Sequence, residues 1–375
     1  NMDYFDFATG LKMINKKFID LFGQTPRNAE KESLTVFHMN IASSIQSVIE
    51  HIVLLLTKSI AEETKCENLC MAGGVALNCV ANGKILKENY FKNIWIQPAA
   101  GDAGGALGAA LALWYKELKN ERITTSKDEM QGSYLGPSFN DNEIANSLRD
   151  LGAVYEKNSE KKVLEIIAKE LANEKTVGWF QGKMEFGPRS LGSRSIIADP
   201  RSSKMQKSLN LKVKFRESFR PFAPSILRED LTKWFDLDCD SPYMLFVANV
   251  NKNIKREMTE NEKKLFGIQK LNIIRSDIPA VTHIDYSARI QTVHKETNQK
   301  YHDLISKFKE ITSCPVLVNT SFNIRGEPIV CTVRDAYLCF MGTDLDILAC
   351  GNFIMYKTKQ NSKLSHNYKK LFKPD

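Results

Sequence analysis

Between residues 34 and 65, apolar side chains recur at spacings of three and four (Ile41, Ile45, Val48, Ile49, Ile52, Leu55, Leu56) with polar residues between them. That period predicts one long amphipathic helix. The pattern then shortens. Asn68 to Ala72 is a brief apolar strand running straight into Gly73-Gly74, and the spacing that follows predicts a helix through Leu86. NIWIQ at 93–97 reads as a second strand, closed by Pro98. AAGDAGGALGAALALWYKEL predicts a turn at 101–105 and an Ala/Leu helix to Leu118. Strand, glycine turn and helix therefore occur twice in succession.

Residues 120–142 are polar and turn-rich and read as a linker. A second α/β pattern follows. Helices are predicted at 141–151, 160–174, 298–312 and 332–341, and strands at Val177–Phe180, Tyr243–Val247, Arg289–Val293, Val316–Asn319 and Ile329–Cys331. Charged residues at 251–277 suggest an exposed insertion, and the basic tail from Lys357 a loosely held end.

Length and composition narrow the class. At 375 residues two domains are expected, each able to bury a core, with the division placed at 1–125 and 126–375. A chain 43% hydrophobic and 26% charged is an ordinary globular protein. The net charge of +8 suits an anionic small-molecule substrate, and the scattered lysines argue against nucleic acid as partner. The eight cysteines form no CxxC pair and no zinc pattern, which points to reduced thiols and a cytoplasmic location. Neither a signal peptide nor an apolar run of about 18 residues is found, so no secretion and no membrane span are expected.

The densest chemistry lies between Gly178 and Pro224. Arg189, Arg194, Arg201, Lys214, Arg216 and Arg220 stand beside Gly187, Pro188 and Gly192. A guanidinium fork binds phosphate or carboxylate bidentately, and turns hold such groups rigidly. A basic run is otherwise a solvated face, but here Phe186, Leu191, Ile196, Phe215 and Phe222 are interleaved with the cations, so the segment is expected to pack.

Three further motifs add polar groups at strand ends. In MAGGVALNCVANG (71–83) and GDAGGALGAA (101–110), a strand ending in glycine offers close backbone approach, and the next helix offers free N–H groups to an anion. Asp102 either ligates a divalent metal beside a phosphate or simply caps its helix. Two such turns are the arrangement by which actin-like ATPases grip nucleotide. In CPVLVNTSFNIRGEPIV (314–330), Asn319, Thr320, Ser321 and Asn323 cluster at a strand end and Arg325 follows. Arg289 sits in the strand-like SARIQTV and needs an anionic partner if buried. The six histidines make no HxxxH or HExxH pair.

Taken together, AGGVALNCVANG, QPAAGDAGGALGAA, YLGP, GWFQGKMEFGPRSLGSRSI, VKFRESFRPFAPS, ARIQTV and VNTSFNIRGEPIV resemble the O-carbamoyltransferases of nodulation-factor and antibiotic tailoring, over nearly the whole chain. The resemblance implies an α/β protein: part of an actin-like (ASKHA) ATPase domain followed by a YrdC-like domain with a twisted mixed sheet. The second domain would join carbamoyl phosphate and ATP into carbamoyladenylate, and the first would pass the carbamoyl group to a hydroxyl of a small-molecule acceptor such as a sugar or natural product. By motif, Arg189, Lys214, Arg220, Arg289 and Arg325 would form the carbamoyl phosphate and ATP pocket, and Ser321 and Asn323 would orient phosphates or the carbamoyl group. Gly73, Gly74, Asn78, Gly101 and Gly105 would line a nucleotide-like site, with Asp102 holding Mg or Fe.

One departure accompanies the match. The family's metal site is completed by an HxxxH pair in an earlier half of the actin-like domain, and this sequence has none. The resemblance thus implies a chain that starts inside that domain: a fragment, a split enzyme whose N-terminal half is a separate polypeptide, or a degenerate relative. It leaves room for a homodimer. Two rivals stay open, threonylcarbamoyl-adenylate synthesis for tRNA modification and a non-catalytic nucleotide-binding partner subunit.

Overall fold

In a computed structural model, which describes residues 1–28, 31–125, 128–361 and 372, the chain divides into two units, residues 1–51 and 52–375. In the first, Asn15 caps helix α1 (Lys16–Phe22) by accepting from the Lys17 and Phe18 backbone N–H groups, and Gly23 ends it in the left-handed region at φ 69°. Phe5, Phe18 and Phe22 pack ring against ring beside a bridge between Phe5 and Ile14.

Helix α2 (Val36–Thr64) is the long helix that the 34–65 periodicity predicts. By length and composition it is apolar enough to cross a membrane, which corrects the expectation that no segment qualifies. The sequence hid this because Ser43, Ser44, Gln46 and Ser47 interrupt the apolar positions.

The second unit begins with a two-stranded parallel sheet, β1 (Asn68–Met71) against β2 (Asn93–Ile96), joined through helix α3 (Cys79–Glu88). Leu69, Ile85 and Phe91 form its core, with Val53, Leu54 and Ala61 of α2 packed on them. Helix α4 (Ala103–Ala112) runs on as one wide turn to Glu117 and buries none of its residues.

The rest is built on nine strands: β3 (Glu156–Lys157), β4 (Val177–Phe180), β5 (Arg194–Ala198), β6 (Ala223–Leu227), β7 (Phe246–Asn249), β8 (Ser287–Val293), β9 (Val316–Ser321), β10 (Ile347–Cys350) and β11 (Phe353–Tyr356). Their order is β3-β11-β10-β4-β5-β9-β6-β8-β7. β10–β4 and β6–β8 run parallel and the other pairs antiparallel, so the sheet is mixed. Helices α5 (Asp141–Asp150), α6 (Glu160–Ala172), α7 (Gln299–Thr312) and α8 (Val333–Gly342) supply the rest of the core. Val163, Ile167 and Leu171 recur at four along α6, Tyr301, Leu304 and Phe308 recur at three and four along α7, all six bury completely, and the two helices pack together. Asn140–Glu143 and Thr332–Asp335 make reciprocal capping boxes that start α5 and α8.

Several expectations change. The strand placed at Ile329–Cys331 does not form; that segment leads into the Thr332 cap. The strand placed at Tyr243–Val247 starts only at Phe246, because Met244 takes a left-handed backbone at φ 59°. The linker at 120–142 is partly structural: Met130 and Ser133 are buried, and Ser133 Oγ donates to the Phe186 carbonyl. Residues 126 and 127 lie outside the described residues, as does the tail from 362 apart from Phe372. The insertion at 251–277 ends on buried Arg275, whose guanidinium donates to the carbonyls of Lys270, Thr282 and His283.

Candidate anion-binding site

The arginine segment folds into a loop between β4 and β5 and is held from inside. Glu185 is buried, and its Oε1 accepts from the backbone N–H groups of Leu191 (2.7 Å), Ser193 (2.8 Å) and Arg194 (3.3 Å). Burial pushes the Glu185 carboxyl up from its ordinary value, against those bonds. From outside, Tyr134 Oη and Gln291 Nε2 both donate to the Leu191 carbonyl at 2.7 Å, and Trp179 Nε1 donates to that of Gly192 at 2.9 Å. Gly192 has φ 105°, and a Cβ there would lie 2.2 Å from the Tyr301 ring, so no other residue fits.

This loop presents Arg189 and Ser190 to a cavity of about 260 Å³. Arg216, Arg220, Arg289, Asn319 and Ser321 line it as well. Burial, and then the charge of Arg289, pushes the Arg189 guanidinium down to about 10. Burial, and then Arg220, does the same to Arg216, also to about 10. Guanidinium groups stay charged at neutral pH, so several like charges crowd one small space and an anion entering it would relieve the crowding.

The floor beneath is polar and ordered. Lys214 Nζ is buried and donates to the carbonyls of Ser321 (2.8 Å) and Asn323 (2.7 Å), to Asn323 Oδ1 (2.6 Å) and to Ser321 Oγ (3.2 Å). Burial, with Arg216 nearby, pushes its ammonium down to about 7. Lys214 is therefore a post under the NTSFN turn rather than a cavity wall. Glu217 bridges Arg220 (2.9 Å) and Arg325 (3.2 Å), which ties Arg325 to the edge of the site although it does not line the cavity.

Of the expected residues, then, Arg189, Arg220, Arg289 and Ser321 line the cavity, while Lys214 and Asn323 support it from behind and Arg325 from the side. Two cations of the run go elsewhere. Arg194 is fully buried, lies 3.7 Å over the Phe180 ring and donates to the Gln181 and Pro137 carbonyls. Arg201 pairs with Asp199 at 2.6 Å. Motif transfer left out Arg216 and Asn319. The signal for Arg216 was its place in the cation run, and that for Asn319 its place at the end of an apolar strand.

The two glycine turns form a neighbouring structure. Gly73 N donates to the Ala100 carbonyl at 2.8 Å, which joins the turn of Gly73 and Gly74 to that of Gly101 and Gly105, and Asn78 Oδ1 caps α3. Arg189 Nη2 donates to the Leu77 carbonyl at 3.3 Å, and a Cβ on Gly187 would lie 2.9 Å from the Pro98 oxygen, so the turns abut the arginine loop without lining the cavity. Asp102 is exposed at the start of α4 and makes no capping bond. Among the described residues no three His, Cys, Asp or Glu side chains gather, so the donors present do not fit a divalent metal by themselves.

This geometry defines an α/β protein with a preformed cavity lined by several arginines. Two family descriptions match it: Carbamoyltransferase C-terminus over residues 168–357, which contains the whole pocket, and Carbamoyltransferase N-terminus over residues 1–111. The chain belongs to the carbamoyltransferase family. It is 58% identical over 362 residues to an uncharacterized protein of Synechocystis, covering 96% of this chain and 59% of that one. It is 40% identical over 326 residues to nodulation protein NolNO of Sinorhizobium fredii (85% and 44%), and 39% over 340 residues to nodulation protein NolO of Bradyrhizobium diazoefficiens (85% and 55%). The chain thus spans about half the length of these relatives.

Proposed function

We propose that the chain acts in ATP-dependent O-carbamoyl transfer and that the arginine cavity is where carbamoyl phosphate is taken up and activated. On this reading residues 126–375 are the YrdC-like, carbamoyladenylate-forming part, and residues 1–125 are part of an actin-like domain that serves transfer to the acceptor hydroxyl. The eight free cysteines accord with a reducing, cytoplasmic setting. One observation carries the reading: Arg189, Arg216, Arg220 and Arg289 converge on a single small cavity.

At about 260 Å³ the cavity lies below the roughly 300–1,000 Å³ of drug-sized ligand sites, so it suits a small acyl phosphate, with the rest of a nucleotide extending beyond it. Balanced, the activation consumes carbamoyl phosphate, ATP and one water and yields carbamoyladenylate, phosphate and pyrophosphate. Water first breaks the bond between the carbamoyl group and phosphate, releasing phosphate and leaving carbamate, and a carbamate oxygen then forms its bond to the α-phosphorus as the bond to pyrophosphate breaks. Fixed guanidinium groups would meet the charge carried by both leaving groups. The Lys214 post keeps the NTSFN turn rigid under that charge.

The test is phosphate and pyrophosphate release from carbamoyl phosphate and ATP without acceptor. Release that requires carbamoyl phosphate and falls about 100-fold in Arg216→Ala supports the reading. Release that ignores carbamoyl phosphate, or is unchanged in Arg216→Ala, overturns it. A requirement for bicarbonate and threonine instead would move the assignment to threonylcarbamoyl-adenylate synthesis.

A further inference from the structure

Four arginines line the cavity, and among the described residues Arg220 is the one of them that pairs with a carboxylate: its Nε donates to Glu217 Oε2 at 2.9 Å. The second Glu217 oxygen, Oε1, accepts from Arg325 Nη1 at 3.2 Å. One carboxylate thus spans two cations from separate segments, Arg220 in the loop before β6 and Arg325 in the turn after β9. The side chains of Arg220, Glu217 and Arg325 are 43%, 30% and 24% exposed, so solutes reach the bridge. The fold does not need this carboxylate to hold the loop, because Asn210 does so. Asn210 is fully buried; its carbonyl accepts from Arg216 N at 2.9 Å and its Oδ1 from Arg216 Nε at 2.7 Å, while its Nδ2 donates to the carbonyls of Ser218 (3.2 Å) and Arg220 (2.8 Å). Both ends of 216–220 are therefore fixed apart from Glu217. Arg325 is likewise placed through its backbone, whose N–H donates to the Lys214 carbonyl at 3.2 Å.

A carboxylate beside an anion pocket opposes the occupant, both by repulsion and by holding donors that the anion would use. Partly exposed ion pairs are also weak enough to be exchanged. We propose that Glu217 is a specificity-determining residue, an internal counter-anion that a single phosphate leaves in place and that a longer polyphosphate displaces, turning Arg220 and Arg325 to the ligand. A single phosphate meets Arg189, Arg216 and Arg289 without touching the bridge. A chain of phosphates carries more charge and reaches further, to the edge where the bridge lies, and there replaces one carboxylate by several phosphate oxygens. The ligand class is a polyphosphate such as that of a nucleoside triphosphate. This exchange rests on the anion-pocket reading above and adds how the pocket tells a triphosphate from free phosphate.

The experiment measures binding of inorganic phosphate and of tripolyphosphate to the full chain by calorimetry, at one fixed ionic strength because screening alters both. The quantity read is the ratio of tripolyphosphate to phosphate affinity. In Glu217→Gln, which keeps the shape and removes the charge, the ratio should rise roughly 2- to 30-fold, the competition of two partly exposed ion pairs being gone. Arg325→Gln supplies a second reading should the first variant fail to fold: it should lower the ratio, because the longer anion alone reaches that cation. A ratio unchanged in Glu217→Gln would make the carboxylate part of the general field, and a lowered one would make it a group that positions Arg220; either overturns the exchange and leaves the arginine pocket standing, as does an unchanged ratio in Arg325→Gln. Absence of binding of both anions to the natural chain would sink the pocket reading and the exchange together.

Discussion

The glycine turns of residues 68–118 and the arginine loop between β4 and β5 both end short strands, and both announce themselves by glycine and charge, yet they are built in opposite ways. The loop is closed: Glu185 ties it from within, Trp179, Tyr134 and Gln291 from without, and its cations meet a polar floor. The turns are open: their sheet has two strands, α4 buries nothing, and Leu111, Leu113, Trp114 and Leu118 stand exposed. A glycine motif thus marks where backbone can approach something, while buried acceptors and donors decide whether the approach is a finished pocket.

The sharpest way to break the closed half is Lys214→Met. The Ser321 and Asn323 carbonyls lose a donor at a buried position, and Asn323 Oδ1 keeps only the Ser321 hydroxyl. With about 1–3 kcal/mol for each unsatisfied group, partly offset by water entering, the loss should be about 4 kcal/mol, read as a lower denaturant midpoint. An unchanged midpoint would show that the floor is not held by Lys214.

Next comes the seam between the halves. A Cβ on Gly83 of α3 would lie 2.3 Å from the Val247 carbonyl of β7. Backbone cannot yield there as a side chain would, so Gly83→Ala should cost about 2–3 kcal/mol of stability. A neutral result would mean that α3 does not dock on β7 as described.

Part of this was legible in the sequence and part was not, and the division is physical. Strong periodicity placed α2, α6 and α7 nearly to the residue. Most of the central sheet was missed. RSIIA and APSIL carry an arginine or a proline, and ILAC and FIMY are short apolar runs with no alternation, because strands buried on both faces have no polar side to show. At the site, cation identity was visible and cation destination was not. Arg194 and Arg216 look alike in the chain, and only tertiary packing sends one to the Phe180 ring and the other to the cavity.

A smaller effect separates pH from packing. His283 is held by Ser287 Oγ at 3.0 Å, and burial pushes its imidazole down to about 4. Its folded value lies below the ordinary 6.5 of the free side chain, so the unfolded chain binds more protons between the two. Stability therefore rises with pH across about 4 to 6.5 and is lost on acidification through that window, by roughly 2 kcal/mol once partial exposure is allowed for. His283→Gln should flatten this part of the stability profile, and an unaltered slope would place its origin elsewhere.

The smallest expected effect probes the open half and runs the other way. Gly104 and Gly108 lie one turn apart on α4, but a Cβ on Gly104 would sit 2.1 Å from the Ala99 carbonyl, whereas one on Gly108 meets nothing within 4 Å. Mid-helix glycine costs about 0.5–1 kcal/mol relative to alanine through chain entropy alone. Gly108→Ala should therefore stabilise the chain by that amount, while Gly104→Ala destabilises it. If Gly108→Ala also destabilises, something packs on that face of α4, and the openness that distinguishes the glycine turns from the arginine loop is not real.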